Sequence, residues 1–398
     1  MNKNEVVIKQ LEKEQFDESM ALSQFAFQYK RTAEELEHTK KQLEAEPAVR
    51  WAAYIDDQLA AQATVLELET YINGKRFAMG GIAGVATWPE YRRQGLVAKL
   101  LVHSLMEMKE KGQSISFLHP FAFGFYRKFG WETYTEHKAY TIKVELLPTR
   151  NTYVGRVEKY TGSYDFLDAI YEAYASHYNG SLVRSELWWK YRISKRKPGQ
   201  IAVYYDKQNQ AIGYIIYEVK DMVLRVHELI YLNEEAKAAL WSFIGQHDSM
   251  INEVTITAPS DDLLPFSLTN PRIKQEIIPY FMARIVDVEA FVKHYEFLSS
   301  TEEDRLQIEI KDEHAEWNSG CYLLRIEASG NASLQRLDNM GDSSATIKMD
   351  IGSLTCMLLG YLRPLQFAQL ARIDGDTHAI KRLQDRIPER TTYLPDFF

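Results

Sequence analysis

Residues 84–98 read Gly84-Val85-Ala86-Thr87-Trp88-Pro89-Glu90-Tyr91-Arg92-Arg93-Gln94-Gly95-Leu96-Val97-Ala98. An apolar run ends at Thr87, a basic turn follows, and Gly95 sits at the bend. From Leu96 onward Val97, Leu100, Leu101, Leu105 and Met108 recur at three- and four-residue spacing, which predicts an amphipathic helix over 96–111. A strand, a turn and a helix in that order aim successive backbone N–H groups at one point, where the helix dipole favours an anion. Gly95 lets the backbone approach a pyrophosphate with no Cβ in the way, and Arg92 and Arg93 add charge-assisted contacts. The stretch reads as a pyrophosphate cradle. It is not a P-loop, because no Gly-Lys-Ser/Thr follows, nor a dinucleotide fingerprint, because two of the three glycines are missing.

Upstream, strand signals at 5–11, 51–55, 59–71 and 81–87 surround helical patterns at 16–27 and 31–44. Asp56-Asp57-Gln58 and Asn73-Gly74 supply hairpin turns. Downstream, Ile115–Leu118 reads as a short buried strand and Phe123–Phe129 as a short helix. The middle third repeats the order hairpin, strand, helix, strand at 201–205, 211–219, 224–232, 234–244 and 253–257, which suggests a second copy of the same unit. A third unit opens with a helix at Asp287–Tyr295. It continues with strands at 306–310, 320–327 and 345–350 and helices at 354–360, 364–371 and 378–386. The chain then reads Tyr393-Leu394-Pro395-Asp396-Phe397-Phe398, an apolar ending that calls for burial.

The chain has 398 residues, 47 Lys plus Arg and 55 Asp plus Glu, for a net charge of −8. No basic excess exists to offset phosphates, which argues against nucleic acid as partner. A cationic small molecule suits an acidic protein better. Two cysteines, Cys321 and Cys356, exclude a disulfide scaffold and a thiolate-rich metal site. No histidine pair has metal-ligand spacing, so no metal is expected. No targeting or membrane segment is apparent, and a cytoplasmic protein is the expectation.

The cradle resembles the acetyl-CoA motif of the GNAT acetyltransferases, Arg/Gln-x-x-Gly-x-Gly/Ala, through Arg92 and Gly95. Val97 departs from it where the family has Gly or Ala. About thirty residues on, Phe125-Tyr126-Arg127-Lys128-Phe129-Gly130-Trp131 resembles the family's Phe-Tyr-x-x-x-Gly-Phe segment. The stretches 318–324 and 350–355, with Leu359-Gly360 and Asp396-Phe397-Phe398, resemble the Eis family over essentially the whole chain. The resemblance implies an α/β (α+β) fold: two tandem GNAT-like mixed sheets flanked by helices, then a sterol-carrier-protein-like α+β domain. The expected units are 1–150 (catalytic), 151–285 (degenerate, since no Arg-x-x-Gly stands at Glu234-Glu235-Ala236-Lys237) and 286–398. It further implies acetyl-CoA as co-substrate and a homo-oligomer, a hexamer in many members.

In this frame Val85, Ala86 and Thr87 offer backbone N–H groups to the thioester carbonyl. Arg92, Arg93, Gln94, Gly95, Leu96, Val97 and Ala98 hold the pyrophosphate, and Phe121 and Ala122 complete the cofactor site. Tyr126 is the expected general acid toward the departing thiolate. The base is either His119, at a strand end, or, as the resemblance implies, the α-carboxylate of Phe398. Burial raises the pKa of such a carboxylate. Asp396 is a candidate acidic pocket wall. The expected reaction is direct transfer of acetyl to a primary amine of a cationic acceptor, aminoglycoside-like, polyamine or lysine. The rivals are a non-catalytic acyl-CoA or lipid binder and a protein-directed acetyltransferase.

Overall fold

The computed structural model describes residues 5–149, 152–338 and 346–398. The apolar alternation along residues 48–87 builds the first sheet. Strands β1 (Val6–Gln10), β2 (Ala48–Ile55), β3 (Gln58–Ile72) and β4 (Lys75–Thr87) pair antiparallel in that order, and β5 (Ile115–Leu118) runs parallel to β4. Both hairpin turns are two residues long with positive φ throughout: 51° and 62° at Asp56 and Asp57, 52° and 79° at Asn73 and Gly74. This twist matches that of the flanking strands. Helices α1 (Phe16–Ala26), α2 (Ala33–Ala45), α3 (Leu96–Glu110) and α4 (Phe123–Arg127) flank the sheet. Helix α3 buries Leu100, Leu101, Leu105 and Met108 against β2, β3 and β4, as their spacing predicts, while Leu96 is buried in place of Val97, which is half-buried. The charged α2 buries only Thr39 and Gln42 and begins in a capping box of Thr32 and Glu35.

The second sheet repeats this order. Strands Gln200–Tyr205, Ala211–Lys220 and Val223–Tyr231 are antiparallel, the helix Glu234–Gly245 follows, and Glu253–Ala258 lies parallel to Val223–Tyr231. The two sheets exchange strands. Glu136–Lys143, expected in the first unit, pairs with Glu253–Ala258 and Lys274–Pro279 in the second sheet. Met282–Ile285, expected in the second unit, pairs with β5 and with Glu132–Thr133 in the first. Each exchange covers the edge next to the parallel strand, which would otherwise show unpaired backbone groups. The expected boundary between residues 150 and 151 lies outside the described residues.

The third unit is a five-stranded sheet in the order Ala332–Leu337, Gly320–Ile326, Asp304–Lys311, Ile347–Asp350, Ile373–Asp374. Its helices are Val288–His294, which opens the unit as expected, Ile351–Leu359, Pro364–Gln369 and Thr377–Arg386. Ala345, the expected start of one strand, lies outside the described residues. After Arg386 the chain turns back toward the first two units. It bridges Thr392 to Asn179 and buries Tyr393, Leu394 and Phe398 in a core cluster shared with Leu66, Phe117, Trp188 and Phe281.

Candidate active site

Pairing of β4 with β5 stops at Ile82 and Leu118, yet β4 runs on to Thr87. The two strands therefore splay. On its other edge β4 carries an irregularity: Gln62 and Thr64 face Ala86 and Ala83, so β4 has one residue more than β3 there, and Gly84 adopts φ of 60°. Such a bulge bends the strand away from its partner. The opening leads to the start of α3, where Gly95 is the N-cap at φ 76° and no side chain caps the helix. The first N–H groups of α3 are thus left for a ligand. A Cβ on Gly95 would meet nothing within 4 Å, so space alone does not require glycine there; the left-handed backbone does.

A cavity of about 700 Å³ lies here. Ten of the twelve residues expected at the cofactor line it: Val85, Ala86, Thr87, Arg92, Arg93, Gly95, Leu96, Val97, Ala98 and Phe121. Gln94 and Ala122 are not among the lining. The Gln94 amide turns back to the Glu90 carbonyl at 3.3 Å, and Ala122 is the N-cap of α4. Sequence reading missed Ala26, Phe27, Tyr91 and Phe125, which complete the lining. Phe27 arrives from the far end of α1, and no local pattern links it to the cradle.

A second cavity, about 510 Å³, adjoins the first and shares Phe27, Val85 and Phe121 with it. Tyr126, His119, Phe397 and Phe398 line it. Tyr126 is 3% exposed, and its hydroxyl has no hydrogen-bond partner among the described residues. Burial pushes its pKa well up, so the hydroxyl keeps its proton across the working range. Burial, and then the charge of Arg196, hold His119 below its ordinary value as a neutral imidazole. Its ring packs against Tyr280, Phe281 and Phe397 at 4.8–5.5 Å. The Phe398 ring packs on Phe281 at 4.9 Å and Trp188 at 6.2 Å. It comes so close to Gly81 that a Cβ there would stand 2.9 Å from it. Cys356 is buried with its thiol on the Thr133 carbonyl, and burial pushes its pKa up, so it is no nucleophile.

Asp396 is not a pocket wall. It is 2% exposed and sits behind the terminal phenylalanines. One oxygen accepts from Arg184 Nε at 3.1 Å and Trp188 Nε1 at 3.0 Å, and the other from the Tyr171 hydroxyl at 3.2 Å. Arg184 also grips Glu228 with both terminal nitrogens, and Lys197 and Tyr214 donate to Glu228. The tail is held further by Tyr280 on the Asp396 carbonyl, His137 on Leu394 and Ser181 on Tyr393, at 2.8–2.9 Å. This cluster joins residues 137 to 396 and leaves no trace in local sequence. The second cavity is also lined by Arg31, Arg50, Arg192 and Arg196, and no Asp or Glu is among its lining residues.

Three family models match the chain: an acetyltransferase (GNAT) domain over residues 7–134, a second acetyltransferase (GNAT) domain over 180–285, and a sterol carrier protein domain over 288–395. The chain is similar to N-acetyltransferase Eis of Mycobacterium tuberculosis, 26% identical over 356 residues, 84% of each chain. It is likewise similar to an uncharacterized N-acetyltransferase of Streptomyces avermitilis, 23% identical over 358 residues, 83% of each. A crystal structure from Enterococcus faecalis, of a protein of unknown function and probable N-acyltransferase, superposes with a TM-score of 0.92 at 28% identity, covering 99% of this chain and 100% of that one. Eis1 of Mycobacterium abscessus shares the fold with a TM-score of 0.81 at 20% identity, covering 99% of this chain and 100% of that one.

Proposed function

This chain belongs to the Eis-like GNAT N-acetyltransferases, and from that premise we propose that it moves acetyl from acetyl-CoA directly to a primary amine bound beside Tyr126 and Phe398. The observation that carries the reading is the junction of the two cavities at Phe27, Val85 and Phe121. One cavity suits a pyrophosphate at the start of α3, and the other suits an acceptor. In the step, the amine nitrogen bonds to the carbonyl carbon and the carbon–sulfur bond breaks. The amine proton goes to the α-carboxylate of Phe398, and the thiolate takes a proton from Tyr126. Backbone N–H groups at 85–87 face the carbonyl oxygen as its charge grows. The α3 terminus, Arg92 and Arg93 act at a distance, as orientation.

The corresponding helix of the second sheet begins Asn233-Glu234-Glu235. Two carboxylates at its first turn repel an anion, which supports one cofactor site per chain. The sterol-carrier unit serves as scaffold, delivering Phe398. The edge strand Lys274–Pro279, with Ile277 66% and Ile278 43% exposed, supports the homo-oligomer reading, which sedimentation tests. Among the described residues no helix is long and apolar enough to cross a membrane.

The test is CoA release over an amine panel, with wild type and with one residue added after Phe398. The extended chain moves the carboxylate and leaves its neighbours intact. It is expected to lose at least tenfold in kcat. Equal rates would sink the terminal base, and no release with any amine would favour a binding module.

A further inference from the structure

We infer that the acceptor is a primary amine that also carries an anionic oxygen group, a carboxylate or a phosphate, bound by Arg31, Arg50 and Arg196, and that a polycation is not the preferred substrate. The inference rests on reading the second cavity as the acceptor site. Four guanidiniums line that cavity with no carboxylate side chain among the lining. One of them is already neutralised: Arg192 meets both oxygens of Glu46 at 2.7 Å. The other three have no carboxylate within ion-pair distance among the described residues. Arg31 donates to Thr39, Arg50 to the Leu43 carbonyl at 2.9 Å, and Arg196 lies over the Phe397 ring at 4.3 Å.

Guanidiniums gathered on one cavity with no paired carboxylate are unfavourable unless something offsets them, and the α-carboxylate of Phe398, the one anionic group among the lining, is taken up by the proposed step as its base. Burial, opposed by Glu46 and aided by Arg192, holds Arg50 below its ordinary value, and burial, then the charge of Arg192, hold Arg196 below its own. An incoming carboxylate or phosphate would relieve this repulsion and find planar forks of donors suited to it. A second ammonium on the acceptor would add to the repulsion. The net charge of −8 does not bear on this, because charges beyond a Debye length are screened while those lining a cavity are not. The groups converge from three places: Arg31 follows α1, Arg50 is on β2, and Arg196 comes from the second unit beside the terminal phenylalanines. They therefore form one site only in the folded chain.

The experiment uses matched amines on the full-length protein with acetyl-CoA. One arm pairs 4-aminobutyrate with 1,4-diaminobutane, for carboxylate against ammonium. The other pairs glucosamine 6-phosphate with glucosamine, for phosphate against no charge. Spermidine represents polycations. Calorimetry on the CoA-loaded protein measures binding of the same compounds independently of turnover. The expected result is a kcat/KM or an affinity at least tenfold higher for the anionic member of one pair. Arg196→Gln and Arg50→Gln should remove that preference by raising KM, and Arg196→Lys should restore part of it. The pair that responds tells carboxylate from phosphate. Arginine-dependent binding of the anionic member with no turnover of any amine would uphold this inference and overturn the transferase reading. A preference for diaminobutane or spermidine, or an anionic preference untouched by the Gln variants, would overturn the inference, as would no discrimination in either measurement.

Discussion

Tyr126 is the residue on which the proposed chemistry turns. The residue is 3% exposed, its hydroxyl is unpartnered among the described residues and held protonated, and it lines the second cavity, where the proposed step places the departing thiolate. A general acid of this kind contributes about 10²–10⁴ in rate. Tyr126→Phe is therefore expected to lower kcat at least a hundredfold while changing acetyl-CoA affinity less than about threefold, read by steady-state kinetics and calorimetry. Because its pKa is raised, Tyr126 does not ionise between pH 7 and 10, so the wild-type rate should not fall in that range on its account. Tyr126 was legible in the sequence because its neighbours 125–131 are contiguous. Arg31, Arg50, Arg192 and Arg196 were not. They are spread over more than 160 residues and two units, and nothing in the local pattern of any one distinguishes it from a surface arginine.

At the scale of elements, the passage from β4 to α3 is the cofactor site of the proposed reading, and two glycines in it differ in what they require. At Gly95 the requirement is the positive φ, and the open space in front of it is where the ligand would approach. Gly95→Val is expected to weaken acetyl-CoA binding at least tenfold by calorimetry, since left-handed backbone costs a side chain about 1–2 kcal/mol and the branched group enters the approach. At Gly81 the limit is contact: a Cβ would stand 2.9 Å from the Phe398 ring and 3.0 Å from Leu68. Gly81→Ala should therefore push the terminal ring aside and lower kcat at least tenfold, with overpacking costing about 1–3 kcal/mol of stability. A kcat within twofold of wild type would show that the position of Phe398 does not matter to the rate. Strand β4, its turn and helix α3 could be read from sequence because strand, turn and helix signals act within a few residues. The exchange of Glu136–Lys143 for Met282–Ile285 between sheets could not, since both segments carry ordinary strand patterns and only the open sheet edges select their partners.

At the scale of the molecule, three units converge on one tail. The apolar ending announced its burial, but its anchors come from distant parts of the chain. Arg184 is fully buried between Asp396 and Glu228. Replacing it with Met leaves Asp396 without an ion-pair partner and Glu228 with Lys197 alone, for which about 3–5 kcal/mol of stability should be lost, measurable as a fall in denaturation midpoint. A gentler handle is His137, whose Nε2 meets the Leu394 carbonyl at 2.9 Å. Burial, opposed by that hydrogen bond, lowers its pKa to about 4. In the unfolded chain a histidine titrates near about 6.5. Below that pH the unfolded state binds a proton that the folded state refuses, so stability falls as pH drops. The loss is complete where the folded imidazole also protonates, near pH 4. The full span corresponds to a contribution on the order of 3 kcal/mol, present above pH 6.5 and absent below pH 4. His119 and His227 are depressed in the same direction, so the slope of wild type alone cannot isolate His137. The difference from His137→Gln can, because Gln keeps a donor for the Leu394 carbonyl and removes the titration. Denaturant melts between pH 7.5 and 4.5 should show a shallower loss of stability in the variant, with the two curves closest at the neutral end and separating toward the acidic one. Parallel curves would mean that His137 is solvated in the folded state and that the tail is looser than its hydrogen bonds indicate.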